Sequence, residues 1–248
     1  MDADADSVAL VTGASAGIGR ESAAQLAADG RNVVLVARRE QRLEEIAAEI
    51  EREFDVDTLV VPADVSRPAE IEAAIDATID AFGRLDVLVN NAGIGTDGTS
   101  GVDELPREQY RQVMDVNVDG TFVATQEALP HLRETNGTLI FVASFAGKYP
   151  RPAGPVYAAT KWWVRGFALS LAGQVGEDGV GVSIINPAEV RTEFGTQYRD
   201  RTSKERYEPG EVTGPTAVGE AVAFAARQEP PNAVTELDLF RRDKFAGW

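Results

Sequence analysis

The sequence predicts an α/β fold: a doubly wound parallel sheet flanked by helices in a single domain. Three observations predict it. Short apolar runs alternate with longer helical patterns along the chain, the runs are nearly continuous in Val, Leu and Ile, and no linker or repeat divides them. A strand covered on both faces reads as an unbroken apolar run, and strand–helix alternation with right-handed crossovers gives a parallel sheet. A length of 248 residues suits one larger α/β domain, and 44% apolar content suffices for a full core.

Seven candidate strands cover residues 8–12, 32–37, 57–62, 85–90, 137–142, 180–186 and 234–239. A helix is expected over 38–53, with Leu43, Ile46, Ala47 and Ile50 on one face and Glu44, Glu45, Glu49 and Glu51 facing outward. The next covers 67–82, opened by Ser66 as N-cap with Pro68 just inside. Long helical segments cover 107–133 and 155–175, and a last one covers 215–227. Asn117 and Gly120 are poor helix formers, so a local distortion is expected there. Residues 193–214 break the rhythm: long, polar and aperiodic, the segment reads as a lid over a binding site.

Composition removes several function classes. With no cysteine there is no disulfide framework, thiolate nucleophile or Cys-based metal site, and the single histidine, His131, supports no His-rich metal cluster. His131 is expected to end a helix. No run of eighteen apolar residues exists, and the start Met1-Asp2-Ala3-Asp4-Ala5-Asp6 lacks the basic and apolar regions of a signal peptide, so a cytoplasmic protein is expected. Forty acidic residues against 24 basic ones give a net charge of −16, which repels nucleic acid and anionic membranes. Only four residues are lysine. This acidic, lysine-poor composition resembles that of proteins from salt-loving organisms, and it predicts a fold that loosens in low salt.

Two motifs carry chemistry. The first candidate strand runs directly into Gly13-Ala14-Ser15-Ala16-Gly17-Ile18-Gly19 and then a helix. Such a turn lets backbone N–H groups approach a pyrophosphate, and its place at the first strand of an alternating chain points to a nucleotide. The second motif is Tyr157-x-x-x-Lys161 within the 155–175 helix. Four residues are about one turn, so both side chains share a face. An ammonium beside a phenol lowers the phenol's pKa by ~1–3 units, which suits a general acid/base at a carbonyl or alcohol.

Together with Asn90-Asn91-Ala92-Gly93, Asn117 and Ser144, these motifs resemble the short-chain dehydrogenase/reductase (SDR) family in order and approximate spacing, over nearly the whole chain. The resemblance implies a Rossmann-like seven-stranded sheet, a nicotinamide dinucleotide and hydride transfer at a carbonyl carbon. It makes Tyr157 the acid/base, Lys161 the group that tunes it and holds the nicotinamide ribose, and Ser144 the donor to the substrate oxygen. Asn117 would hold a water through its backbone, linking Lys161 to solvent. It places Asp64 and Val65 beside the adenine, and Asn91, Ala92 and Gly93 along the cofactor. Pro187, Val190 and Thr192 would lie at the carboxamide, although Ala188 stands where the family has glycine.

The second strand ends Val36-Ala37-Arg38-Arg39, with Ala37 in the place of an NAD-selecting acid. NADP(H) is therefore expected, with Arg38 as the main phosphate contact, Arg39 in support and Ser15 adding a hydroxyl. The alternative is that both arginines open a helix and pair with Glu40 or Glu44. Phe145, Tyr149 and Phe194 are the expected apolar substrate wall. Glu189 would disfavour an acidic substrate, whereas the stretch Lys148-Tyr149-Pro150-Arg151-Pro152 would bind one. The stretch Val234-Thr235-Glu236-Leu237 broadly resembles SDRs acting on 3-hydroxy acids or serine, and short ketones, sugars and 3-oxoacyl thioesters remain open as substrates. The resemblance also implies a homodimer or homotetramer, with Trp162 and Trp163 as interface anchors or core packing. The function expected is an NADP(H)-dependent oxidoreductase. A catalytically weak NADP-binding regulator is the alternative, and the intact Ser144, Tyr157 and Lys161 argue against it.

Overall fold

A computed structural model describes residues 6–246, so residues 1–5 of the acidic start lie outside it. Its centre is a sheet of seven parallel strands in the order β3-β2-β1-β4-β5-β6-β7. The strands are β1 (Val8–Thr12), β2 (Asn32–Ala37), β3 (Thr58–Pro62), β4 (Val87–Asn90), β5 (Thr138–Val142), β6 (Gly181–Pro187) and β7 (Glu236–Leu239). Alternate residues of each strand feed two separate cores. Val8 and Leu10 pack with α3 (Pro68–Phe82), α5 (Gly120–Thr135) and α6 (Pro155–Val175), whereas Ala9 and Val11 pack with α1 (Gly17–Ala28), α2 (Glu40–Glu53) and α8 (Pro215–Ala226). This double coverage is why the strands read as continuous apolar runs. Strand order reverses between β1 and β4, and in such sheets ligands bind at the carboxyl edge beside that switch.

Several expectations shift, each for a local reason. Ser66 does not cap α3. Its N–H and hydroxyl both donate to Asp64 Oδ1, at 3.0 and 2.8 Å, and extended Arg67 precedes the helix with Pro68 in the first turn. The helix expected from residue 38 begins at Glu40, because Arg39 has non-helical angles (φ −92°, ψ 81°). The single segment expected over 107–133 is α4 (Arg107–Met114), a π-turn at Asp115–Asp119 and then α5. The distortion anticipated at Asn117 is this π-turn. A Cβ on Gly120 would fall 2.5 Å from the Val65 carbonyl oxygen, so the loop after β3 presses against the helix at its glycine.

The 193–214 segment contains a short helix, α7 (Ser203–Arg206), that aperiodicity concealed. Its signal was Thr202-x-x-Glu205, a capping box in which the two residues exchange hydrogen bonds. The edge strand β7 carries charge rather than apolar bulk. Arg165 grips Glu236 with two hydrogen bonds of 2.6 and 3.0 Å, and Lys148 Nζ lies 2.8 Å from Asp238 Oδ2. Arg165, ahead of burial and with help from Asn186 and Lys148, holds the Glu236 carboxyl at about 2. Among the described residues no helix is long and apolar enough to cross a membrane.

Candidate active site

A cleft of about 910 Å³ opens along the carboxyl edge of the sheet. Its floor is the turn between β1 and α1. Thr12 fastens that turn to the end of β4: its hydroxyl donates to the Val89 carbonyl and accepts from the Asn91 and Ala92 N–H groups at 3.0 and 3.1 Å. Asn91 Nδ2 returns a 2.8 Å bond to the Thr12 carbonyl. Gly13 and Gly17 adopt left-handed angles (φ 67° and 56°) that side chains disfavour. At Gly19 the reason is steric, since a Cβ would fall 2.3 Å from the Gly13 carbonyl oxygen. Helix α1 has no side-chain cap and no acid in its first turn. Its first N–H groups and its positive end are therefore open to an anion. Gly13, Ser15, Gly17, Ile18, Asn91, Ala92 and Gly93 all line the cleft; Gly19 packs beneath it.

At the far side of the turn the two arginines separate. Arg39 donates to Ser15 Oγ through Nε (3.2 Å) and Nη2 (3.0 Å), and its Nη1 lies 3.0 Å from Glu193 Oε2. Arg38 extends toward Asp64, with Nη1 3.7 Å from Oδ2. Neither forms an ion pair with Glu40 or Glu44 among the described residues. Burial pushes the Asp64 carboxyl up, but Ser66 and the arginines outweigh it and leave the pKa below its ordinary value. Arg38, Arg39, Asp64 and Val65 line this end of the cleft. The residues present therefore fit a dinucleotide: a glycine floor without room for side chains, an uncapped helix start, and an arginine–serine pair beyond it.

Ser144, Tyr157 and Lys161 converge at the other end, all buried. Ser144 follows β5 in extended conformation, and its Oγ accepts from the Ala146 N–H at 3.1 Å. The same hydroxyl favours the ionised form of the Tyr157 phenol, against burial. Lys161 Nζ donates to the Val142 carbonyl at 2.8 Å and stands 6.0 Å from the Tyr157 ring centre. Burial lowers the Lys161 pKa to about 8. The phenol does not follow the expectation of tuning by Lys161. Burial raises its pKa, and the forces opposing burial come from Ser144, Arg151 and Arg199. Asn117 lies behind these groups. Its Oδ1 accepts from the Ile94 N–H (2.8 Å), and its Nδ2 donates to the Ile94 carbonyl (2.9 Å) and to Thr160 Oγ1 (3.0 Å). It thus ties the loop after β4 to α6, while its carbonyl accepts from Thr121 Oγ1.

These elements place a glycine turn, a Ser–Tyr–Lys set and the asparagine of a π-turn around one crevice, and the family profile described as short chain dehydrogenase matches residues 7–203. The chain belongs to the short-chain dehydrogenase/reductase family. An uncharacterised oxidoreductase of Staphylococcus epidermidis is 35% identical over 237 residues, covering 94% of this chain and 96% of that protein. Among solved structures, a serine dehydrogenase complexed with NADP+ has a TM-score of 0.88 at 29% identity, covering 97% of this chain and 98% of its own. A 3-ketoacyl-(acyl-carrier-protein) reductase from Brucella melitensis complexed with NADH has a TM-score of 0.83 at 32% identity, covering 94% and 96%.

Within this SDR cleft the remaining expected residues separate. Pro187, Val190 and Thr192 line it beside Gly17, whose Cβ would fall 2.9 Å from Thr192 Cγ2. Phe194 lies 5.5 Å from the Tyr157 ring, centre to centre, and Phe145 also lines the cleft. Tyr149 instead stacks on Phe145 at 4.5 Å, within a cluster completed by Phe240 and Phe245. Glu189 lines the cleft, but Lys244 Nζ reaches its Oε1 at 2.5 Å. Burial pushes that carboxyl up, and Lys244 outweighs it, so the pKa falls below the usual carboxylate value. His131 sits in the C-terminal part of α5. Trp163 stacks on Phe167 at 4.8 Å, whereas Trp162 is 47% exposed. The sequence reading missed Arg199, Arg206 and Lys244 as cleft residues. They come from the lid and the C-terminal tail, and no motif signals which way such segments fold.

Proposed function

We propose that the chain is an NADP(H)-dependent oxidoreductase interconverting a carbonyl and a primary or secondary alcohol, with Tyr157 as the general acid/base. The observation that carries this reading is that buried Ser144, Tyr157 and Lys161 line the same cleft as the Gly13–Gly17 turn. A bound nicotinamide dinucleotide would supply or accept the hydride. Ser144 orients the substrate oxygen and stabilises charge developing on it. The raised pKa of Tyr157 keeps the phenol protonated at neutral pH, ready to donate to that oxygen. Lys161, anchored on Val142, holds positive charge below pH 8 and is placed to bind the ribose hydroxyls. Asn117 fixes the loop between these groups and the sheet.

For the adenosine end, Arg39 and Ser15 form a seat for the ribose 2′-phosphate, with Arg38 alongside near Asp64. Asp64 and Val65 border the adenine, and Pro187, Val190 and Thr192 border the carboxamide. Residues 193–214 act as a lid, latched to the cofactor end by the Glu193–Arg39 pair. Exposed Phe122 and Trp162, on the adjacent helices α5 and α6, support association into a homodimer or homotetramer.

The test is NADPH oxidation at high salt with aldehydes, ketones and oxo acids, for the wild type and Tyr157→Phe. Turnover should fall by ~10³-fold or more in the variant, while NADPH binding measured by fluorescence titration stays within about threefold. Turnover retained in Tyr157→Phe removes the assigned role.

A further inference from the structure

We propose that the substrate is an alcohol or carbonyl compound that also carries a carboxylate, received by Arg151 and Arg199 beside Tyr157. The inference rests on reading the cleft as a dehydrogenase site and adds the class of molecule that enters it.

The argument begins with charge. The chain carries a net −16, yet seven basic side chains line this cleft against three acidic ones. Much of that local charge is already matched: Arg39 by Glu193, Arg38 by Asp64, and Lys244 by Glu189. Two guanidinium groups at the Tyr157 end are not. The Arg151 guanidinium carbon stands 5.6 Å from the Tyr157 ring centre. That of Arg199 stands 5.4 Å from the Phe194 ring, which itself packs 5.5 Å from Tyr157. Among the described residues neither arginine forms an ion pair with a carboxylate. The acid nearest in charge terms to Arg199 is Asp97, whose carboxylate is occupied by the N–H groups of Thr99 and Ser100 and the Ser100 hydroxyl.

Arg199 is also seated rather than loose. Its Nε donates to the Thr96 carbonyl at 3.1 Å, and its own N–H donates to the Gly195 carbonyl at 3.0 Å. Glycines clear space around the side chain from two loops. A Cβ on Gly95 would fall 3.0 Å from Nη2, and one on Gly195 would fall 2.9 Å from Cδ. With Nε committed to Thr96, the Nη groups have no acceptor among the described residues. Two half-buried cations of like sign repel each other and lose solvation, and an anion between them removes both costs.

A carboxylate matches the planar donor fork of arginine. The Tyr157 and Phe194 rings wall the space with apolar surface, which suits a carboxylate on a short carbon chain better than a strongly hydrated phosphate. Of the groups that would redirect an anion, Arg206 holds its guanidinium carbon 5.5 Å from the Tyr207 ring centre. Lys148 is bound to Asp238 and Glu236, and Glu189, which would oppose an anion, is neutralised by Lys244. In the reductive direction the carbonyl carbon would take a hydride from the bound dinucleotide, the C=O π pair would take the Tyr157 phenol proton as the alcohol forms, the phenolate would regain a proton from solvent, and the carboxylate is unchanged.

The test uses the full chain at one fixed potassium chloride concentration where it melts cooperatively. Calorimetry on the NADP+-saturated protein compares butyrate with butyramide, and kinetics compare 3-hydroxybutyrate with 2-butanol. Butyrate should bind ~30-fold or more tightly than butyramide, and Arg151→Gln and Arg199→Gln should each weaken butyrate by ~10-fold or more. In either variant the ratio of kcat/KM for 3-hydroxybutyrate to that for 2-butanol should fall by ~10-fold or more, a comparison in which any change in Tyr157 tuning cancels. If Arg199→Gln fails to melt cooperatively, Arg151→Gln alone reads the result. Equal binding of butyrate and butyramide, no effect of the substitutions, or preference for a phosphorylated alcohol overturns the proposal. Turnover of 2-butanol equal to that of the acid would leave the dehydrogenase reading standing and remove this one. Arginine-dependent butyrate binding with no turnover of any alcohol or carbonyl would do the reverse.

Discussion

Lys161 shows how burial alone sets chemistry at one residue. Among the described residues no carboxylate pairs with its ammonium; its partner is a neutral carbonyl, and loss of solvation brings its pKa to about 8. An unfolded lysine stays charged up to a pH of ~10.4. Between about 8 and that value the unfolded chain therefore binds more protons than the folded one, so this group's cost to stability shrinks as pH rises through that window. The chain has only four lysines, which makes the titration accessible. With ¹³C-labelled lysine and no cofactor, one of the four ε-carbon signals should titrate near pH 8, and Lys161→Arg should remove it. Four signals titrating together at the ordinary lysine pKa would contradict the burial argument.

At the scale of elements, the junction of β2 and α2 carries the proposed preference for NADP(H). The chain leaves Ala37 at the carboxyl edge, and non-helical Arg39 turns back to Ser15 before α2 begins. Arg38 is left beside Asp64. The sequence marked both arginines and ranked Arg38 first; that Arg39 turns to Ser15 depends on a backbone turn of one residue that no periodicity encodes. Arg39→Ala is expected to weaken NADPH binding by ~10–100-fold, Arg38→Ala by less, and neither to change NADH binding by more than about threefold. Equal losses for NADH and NADPH in a fluorescence titration would show that the arginines do not read the 2′-phosphate. The strands and most helices were legible because burial on two faces imposes composition directly, as in Val33–Val36. Tyr157, Lys161 and Ser144 were legible because each occupies a fixed place on α6 or at the end of β5. What stayed hidden depends on tertiary approach: the Ser66 hydroxyl turning to Asp64, the stacking of Tyr149 on Phe145, and the reach of Arg199 across to Thr96.

The whole molecule sets an acidic exterior around a basic cleft, and the two have opposite relations to salt. On the exterior, carboxylates crowd with few partners. Helix α2 alone turns Glu44, Glu45 and partly exposed Glu49 outward, and among the described residues only Glu49 of these finds a cation, Arg20 Nη2 at 2.6 Å. Repulsion of this kind acts over the Debye length, about 10 Å at 0.1 M salt but only ~3 Å at 1 M. The Arg165–Glu236 and Lys148–Asp238 pairs that hold β7 are short, multiply bonded and partly buried, so salt weakens them far less than it relieves the surface. Net stability should therefore rise with salt. The melting temperature is expected to climb by roughly 10 °C or more between 0.1 and 2 M potassium chloride, corresponding to ~3–5 kcal/mol for a chain of this size. Sodium sulfate at matched ionic strength, which also strengthens apolar burial, should raise it further. A melting temperature independent of potassium chloride would mean that the −16 charge is balanced within the fold and that the acidic composition is not an adaptation to salt.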